Sequence, residues 1–200
     1  MNILAVDAAG DILSVALDAG GQIYAARRSG KRPHDETLLP AVESVLKRAK
    51  ISWDDLGAVA AASGPGRFTG IRVGMAFAAM VGMKLKIPAL ALSRLEAAAE
   101  KSGADHVLAA LTGWKEEVYH QNFRRKKDGI AAVGEAGWAG PEEWLTVRAA
   151  AEARDIAVAD GGVDASDLLP VARRCLKSKK IPPFAPFYLK PAGYEKTPAH

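Results

Sequence analysis

The sequence is poor in the residues that build covalent or metal-linked structures. Its one cysteine, Cys175, cannot form a disulfide within the chain, which suits a reducing compartment and predicts a small packing residue. Its four histidines are His34, His106, His120 and His200, and no two of them are four residues apart. A metal-binding helix presents two histidines at positions i and i+4 on one face. We therefore predict that the chain has no metal site and no catalytic residues.

Long apolar runs are also missing. The longest uncharged run, residues 73–83, is too short to span a bilayer, and residues 1–7 lack the basic start of a signal peptide. We therefore expect a cytoplasmic protein without membrane contact. Hydrophobic residues make up 49% of the 200 residues, which is enough for a sizeable core, and the net charge of +4 permits contact with nucleic acid without requiring it.

Hydrophobic periodicity divides the first half of the chain into strands and helices. Strands are predicted at residues 3–7, 12–18, 22–28, 56–62 and 88–92. A helix is predicted from about His34 to Ala49, and a second one follows the glycine-rich turn near residue 65. Because proline is tolerated in the first turn of a helix, Pro40 indicates that regular helix begins a few residues after His34.

The second half repeats this order of elements. Strands are predicted at residues 106–111, 117–123, 130–135 and 156–159, and helices at 144–153 and 166–176. Two successive βββαβα units predict a duplicated α/β fold, which resembles the ribonuclease-H-like halves of the actin, Hsp70 and sugar kinase (ASKHA) superfamily. We predict an N-terminal lobe at residues 1–103 and a smaller C-terminal lobe at 104–200. The proline-rich tail is expected to dock through Phe184, Phe187, Tyr188 and Leu189.

The segment GPGRFTGIRVG at residues 64–74 joins a tight turn to an unusual helix. Glycine tolerates positive φ and proline fixes its own φ, so Gly64–Gly66 predicts a sharp turn, with Thr69 as the N-cap of the helix. Small residues then recur at every fourth position, at Gly70, Gly74, Ala78 and Gly82. Such a ridge lets another backbone approach closely, so we predict that it contacts a second protein and that Gly74→Leu blocks the contact.

Several segments, in order along the chain, resemble the bacterial TsaB (YeaZ) family. The central motif is similar to the GPG-S-FTG-x-R-x-G motif of that family, with Arg67 where the family usually has serine. The other matching segments are ILAVD at 3–7, LSVAL at 13–17, His34 with Leu38, Leu39 and Pro40, EVY at 117–119, DGG at 160–162 and PFYL at 186–189. The resemblance covers nearly the whole chain.

This resemblance implies a role in making N6-threonylcarbamoyladenosine in tRNA, beside the anticodon. In that family the related protein TsaD carries the metal and the catalysis, and TsaB is a non-catalytic partner that pairs with TsaD, or with a second copy of itself, through two helices of its first half. An ATPase, TsaE, joins the assembly, tRNA is contacted only indirectly, and no cofactor is expected. The predicted interface consists of Leu38, Leu39, Val42, Leu46, Gly70, Ile71, Gly74, Met75, Ala78, Val81 and Gly82.

Nucleotide chemistry is the alternative that the fold class suggests. Members of the kinase-like superfamily hold Mg²⁺-phosphate with an aspartate and hydroxyl groups in the first hairpin and with a second acidic loop. Here Asp7 is present, but Ala8, Ala9 and Gly10 supply no hydroxyl, and the matching turn at residues 112–114 has no carboxylate. We interpret Asp7 as a structural residue at a strand end, and an ATP-dependent small-molecule kinase stays the alternative function.

Two further segments have both a functional and a structural interpretation. Residues 64–70 could hold a phosphate at a helix N-terminus, but they lack the Lys-Ser/Thr ending of a P-loop, so a tight turn is favoured. The basic run Arg124–Lys127 lies at a predicted hairpin tip and could touch a tRNA backbone, as in a basic RNA-binding module. No aromatic residues are interleaved in it, so a solvated tip is favoured.

Overall fold

Two sheets and their covering helices account for most of residues 1–29 and 34–189, which are the residues that the structure, a computed structural model, describes. The first half of the chain forms β1 (Asn2–Asp7), β2 (Leu13–Ala19), β3 (Gln22–Arg28), α1 (His34–Ala49), β4 (Leu56–Gly64), α2 (Phe68–Leu85), β5 (Ala89–Ser93) and α3 (Arg94–Ser102). The second half forms β6 (His106–Thr112), β7 (Val118–Lys126), β8 (Gly129–Ala139), α4 (Pro141–Glu152), β9 (Ala157–Ala159) and α5 (Ala165–Ser178).

Four strands of each sheet share one topology, and β5 extends the first sheet at its edge. The first has the strand order β3-β2-β1-β4-β5, with β1 and β2 antiparallel and β1 parallel to β4. The second has the order β8-β7-β6-β9, with β6 and β7 antiparallel and β6 parallel to β9. Each sheet is thus a three-stranded meander followed by a parallel strand that a helix connects, and this repetition confirms the predicted duplicated α/β fold.

The first sheet is covered on both faces, which its sequence explains. β1 and β2 are buried along almost their whole lengths, as expected for apolar strands between two helical layers. Side chains alternate between the faces of a strand. Val6 lies against α2, whereas Ile3 lies beside Leu176 of α5 on the opposite face.

The helices α3 and α5 lie between the two sheets. α3 packs Leu95, Ala98 and Ala99 into the core of the second sheet, although it comes from the first half of the chain. α5 comes from the second half and packs residues such as Leu168 and Leu169 into the core of the first sheet. Each half of the chain therefore supplies a helix that covers the sheet of the other half.

Two local predictions need correction, and a third is confirmed. α3 was not predicted at all, although Ser93 caps its first turn by accepting a hydrogen bond from the backbone N–H of Glu96. α1 begins at His34 and continues through Pro40, which is exposed, so that water can replace the bond that proline cannot donate. Cys175 is buried in the first core, as predicted for a packing residue.

Candidate functional site

A glycine-rich turn carries the chain from β4 into α2. Gly64 has a φ of +120°, which residues with a side chain rarely adopt, and the peptide between Gly64 and Pro65 is cis. A Cβ atom at Gly64 would lie 2.5 Å from the carbonyl oxygen of Phe187, and one at Gly66 would lie 2.4 Å from that of Ala9. Both glycines are needed because the tail and the loop after β1 approach the turn so closely.

The first turn of α2 begins earlier than predicted. Arg67 is the N-cap residue, with no hydrogen bond from its side chain, and its carbonyl oxygen accepts a bond from the N–H of Ile71 at 2.9 Å. Thr69 therefore lies inside the helix, and its prediction as the N-cap was wrong. The backbone N–H of Arg67 donates to the carbonyl oxygen of Ala9 at 2.7 Å, which fixes the chain where the helix begins.

The ridge of small residues faces the protein's own first sheet. A Cβ atom added at Gly70 would lie 1.8 Å from the carbonyl oxygen of Ala8, and one at Gly82 would lie 2.9 Å from the Cβ of Ala89. At Gly74 the nearest atom is the Cβ of Ala8, at 3.7 Å. The ridge thus brings α2 close to β1 and β5 inside one molecule, and a leucine at Gly74 would meet this sheet before it met a partner.

Most of the predicted interface residues lie in the same interior. Leu39 of α1 is the exception, with 48% of its surface exposed. The buried members are Leu38, Val42, Leu46, Gly70, Ile71, Gly74, Met75, Ala78, Val81 and Gly82. They join α1 and α2 to the first sheet, which leaves them little surface to offer a second molecule.

The opposite face of α2 presents apolar side chains to solvent. Met80 and Met83 are 63% and 82% exposed, Ala76 is exposed, and Val73 is half-buried. These four residues follow one another at helical spacing and form a line, which we call the outer stripe. The stripe residues recur at intervals of three and four residues, so the sequence contained their helical signal, but which face of α2 is exposed depends on packing against the sheet.

Length and composition alone would allow α2 to cross a membrane, and it is the one helix among residues 1–29 and 34–189 for which this holds. Eight of its 18 residues are nevertheless buried against the rest of the protein. A helix in the core of a globular domain can be equally long and apolar, so packing inside this domain accounts for the apolar sequence of α2.

The C-terminal segment fastens onto the beginning of α2. The N–H of Phe187 donates to the carbonyl oxygen of Ser63 at 2.8 Å, and the ring of Tyr188 lies 5.0 Å from that of Phe68. Arg72 donates from Nε to the hydroxyl oxygen of Tyr188 at 3.2 Å, and its guanidinium lies over the ring of Phe68. The predicted docking is confirmed for Phe187, Tyr188 and Leu189, whereas Phe184 is 39% exposed. Residues 190–200 lie outside the described residues.

A buried ion pair lies where β1 ends. Asp7 is 1% exposed, and its Oδ2 accepts a hydrogen bond at 2.9 Å from Nε of Arg94, the first residue of α3. Its Oδ1 accepts from the N–H of Ala9 at 2.9 Å. Asp7 therefore has the structural role that we predicted. Its partner was not predicted, because no local pattern connects residues so far apart in the chain.

His34 has a partner near the same loop. Its Nδ1 lies 3.1 Å from the carbonyl oxygen of Ala8. Among the residues that the structure describes, no three histidine, cysteine, aspartate or glutamate side chains come together as metal ligands. The contact of His34 ties the start of α1 to the loop after β1.

A cleft of about 300 Å³ opens between the two sheets and is lined by residues of β4, β5, β7, β8 and the C-terminal segment. Ser63, Ser93, Glu96 and Gln121 contribute its polar groups, and Phe187 of the tail forms one wall. Burial raises the pKa of Glu96, which Arg174 opposes through its charge and a hydrogen bond. The one carboxylate of its lining is paired with Arg174, and Ser93 Oγ accepts a hydrogen bond from the N–H of Glu96, so the cleft has the character of a packing gap.

The second sheet carries the basic run at its hairpin between β7 and β8. Arg124, Lys126 and Lys127 are exposed there, as predicted for a hairpin tip. Arg125 instead points to α3 and pairs with Glu100 at 3.2 Å. Contact of this tip with tRNA stays a prediction.

The fold and the pairing of Asp7 together define the class of this protein. A duplicated βββαβα chain with two helices between its sheets is an ASKHA-type α/β protein, and here the aspartate of β1 is paired within the molecule.

Comparisons with known proteins narrow this class. Residues 28–171 match the sequence model of the TsaD family, described as tRNA N6-adenosine threonylcarbamoyltransferase. The tRNA threonylcarbamoyladenosine biosynthesis protein TsaB of Escherichia coli K12 is 36% identical over 134 residues, which are 65% of this chain and 58% of the relative. TsaB of Buchnera aphidicola from Schizaphis graminum is 35% identical over 127 residues, 62% of this chain and 60% of the relative.

A solved structure agrees over nearly the whole chain. YeaZ from Pseudomonas aeruginosa superposes with a TM-score of 0.77 at 25% sequence identity, covering 94% of this chain and 99% of that one. The chain belongs to the TsaB (YeaZ) family, as its motifs predicted. The chain spans 58–60% of the length of these two TsaB relatives.

Proposed function

We propose that this protein is a non-catalytic subunit in the synthesis of N6-threonylcarbamoyladenosine in tRNA, and that it binds and activates a TsaD-type catalytic subunit in the cytoplasm. Its membership of a family whose curated members are named for this pathway is the observation that carries the proposal. The match of residues 28–171 to the TsaD sequence model also suggests a partner of the same fold.

We assign the contact with the catalytic subunit to the outer stripe of α2. Its methionine side chains are long, unbranched and exposed, which lets them adapt to an opposing apolar surface. Exposed charges flank the stripe along α2, at Arg72 and Lys84. An apolar centre with a charged rim is the usual composition of a protein–protein interface.

The buried residues of the predicted interface keep an indirect part in this proposal. They hold α1 and α2 against the sheet, so that the outer stripe is presented on a rigid support. Leu39, which is exposed on α1, would contact the partner directly. A second copy of the chain would use the same helices when the catalytic subunit is absent, a TsaE-type ATPase would join the pair, and tRNA would be held through the partner.

The experiment that tests the surface is co-purification with the tagged TsaD-type protein of the same organism. In the double variant Met80→Glu/Met83→Glu, two exposed side chains become charged, so the fold is expected to persist while desolvating the charges opposes binding. We expect the dissociation constant to rise at least about tenfold. Leu145→Glu is the matched control, because Leu145 of α4 is 67% exposed and lies on the second half of the chain.

The role itself is tested by a tRNA modification assay from which each component is omitted in turn. We expect no product without the catalytic subunit and strongly reduced product without this chain. Full activity in the absence of this chain would refute the proposal, as would modification by this chain alone. Equal co-purification of the double variant and the control would move the contact away from the outer stripe.

A further inference from the structure

The fold of this protein implies a cation at one position, the carboxylate that ends β1, because ASKHA proteins with nucleotide chemistry hold Mg²⁺-phosphate there. We infer that in this chain the guanidinium of Arg94 is the resident cation of that site, where it takes the place of a metal ion beside Asp7. The inference concerns the interior of this chain and does not depend on the function proposed above.

Both carboxylate oxygens of Asp7 are already engaged. Oδ2 accepts from Nε of Arg94 and Oδ1 from the N–H of Ala9, each at 2.9 Å. The pair is enclosed, with 1% of the Asp7 side chain and 9% of the Arg94 side chain exposed. Mg²⁺ requires about six oxygen ligands in near-octahedral geometry, and a guanidinium in contact with the carboxylate both occupies the space and repels the ion.

The other two nitrogens of the guanidinium also contact the protein. Nη1 donates to the carbonyl oxygen of Pro65 at 3.0 Å, and Nη2 lies 3.5 Å from that of Val163. A Cβ atom at Gly10 would lie 3.1 Å from Nη2, so the loop after β1 closes directly over the group. Arg94 thus connects four segments: the end of β1, the turn before α2, the start of α3 and the loop before α5.

The hydroxyl group of the first hairpin is also engaged. Oγ of Ser14 accepts a hydrogen bond from the N–H of Ala165 at 2.9 Å, so the start of α5 covers it. In the loop after β1, the carbonyl oxygen of Ala9 accepts from the N–H of Arg67. The residues present therefore do not fit a metal-bound phosphate, since the carboxylate is neutralised and the nearby oxygen donors have other partners.

The first test measures ligand binding by the intact wild-type chain. Calorimetry with Mg²⁺-ATP, with Mg²⁺-ADP and with Mg²⁺ alone, at millimolar concentrations, is expected to give no binding heat and no change in Tm. Binding that is lost in Asp7→Asn would overturn the inference, because it would show that the carboxylate is available to a metal. The absence of binding supports the inference.

The second test asks whether the site takes back a cation when Arg94 is removed. Arg94→Ala leaves a buried carboxylate without its partner, and we expect Tm to fall by roughly 6–20 °C. Methylguanidinium at about ten times its dissociation constant should restore roughly 3–6 °C. The double variant Asp7→Asn/Arg94→Ala should show no such recovery, and sodium at equal ionic strength should not replace methylguanidinium.

Controls keep the inference falsifiable if Arg94→Ala does not fold. Arg148→Ala removes an exposed pair with Glu152 and Asp160, so its Tm should stay within about 2 °C of the wild type. Arg94→Lys keeps the charge but cannot reach both Asp7 and Pro65, and it should lie between the wild type and Asp7→Asn in Tm. An Arg94→Ala or Arg94→Lys protein as stable as wild type, or equal recovery of the single and double variants, would refute the inference.

Discussion

A methyl group at Gly70 would clash with the backbone of the loop that follows β1. The added Cβ atom would lie 1.8 Å from the carbonyl oxygen of Ala8 and 2.8 Å from its carbonyl carbon. Cβ atoms essentially never approach another atom more closely than 3.0 Å, so α2 or the loop must move by at least about 1.2 Å. Neither atom belongs to a flexible side chain, so the strain falls on the backbone.

The size of the effect follows from two opposing contributions. Overpacking a tight interior costs about 3 kcal/mol at the upper end of its usual range, and replacing glycine by alanine inside a helix returns about 1 kcal/mol. Gly70→Ala should therefore lower the free energy of unfolding by about 2 kcal/mol, and Tm by roughly 4–8 °C.

Gly74→Ala is the matched variant, one turn further along the same helix. Its new Cβ atom meets the Cβ of Ala8 at 3.7 Å, an ordinary contact, so the helix propensity should dominate and raise stability by up to about 1 kcal/mol. Urea unfolding and thermal melts of Gly70→Ala, Gly74→Ala and wild type check the comparison. Shifts of the same sign in the two variants, or an unchanged Gly70→Ala, would refute the argument from close approach.

Three further predictions concern the second sheet, the cleft and the tail. Burial lowers the pKa of His120 in the folded protein. The contribution of His120 to stability is therefore present above about pH 6.5 and is lost as the pH falls through the lowered pKa. In unfolding curves between pH 7 and 5, wild type should lose stability relative to His120→Gln. Burial raises the pKa of Glu96. The contribution of Glu96 to stability is therefore present below about pH 4.3 and is lost as the pH rises through the raised pKa. Between pH 4 and 7 the free energy of unfolding of Glu96→Gln should rise relative to wild type, and a constant difference would contradict this. Phe187→Ala should lower the free energy of unfolding by about 2 kcal/mol because the ring packs against the second core. Phe184→Ala should lower it by clearly less, because Phe184 is 39% exposed.

Local patterns carried most of the secondary structure. Alternation and helical periodicity located all nine strands and four of the five helices of the described residues, because each element buries one face or both. The missed helix α3 had a signal in Ser93 and Glu96, a serine followed three residues later by glutamate, and in Gly103, which ends the helix with a φ of +71°. It was overlooked because it follows β5 without an intervening loop.

The site was harder to predict, because its geometry depends on contacts between distant segments. The ridge of small residues in α2 was recognised, but periodicity cannot say which face of a helix turns inward, and the structure turns Gly70 inward and Met80 outward. The pair of Asp7 with Arg94 joins residues 87 positions apart. Nothing in the neighbourhood of either residue predicts the other, whereas the fold brings the end of β1 to the start of α3.

The exchange of α3 and α5 between the sheets makes the two halves of the gene product mutually dependent. A chain cut after Gly103 would yield one fragment without the helix that brings Leu168 to its core and another without the helix that brings Leu95. Either fragment alone would expose an apolar sheet surface and aggregate. Mixing the two fragments should restore a folded heterodimer by complementation. Although the two halves resemble each other in topology, each depends on a helix of the other for a complete core.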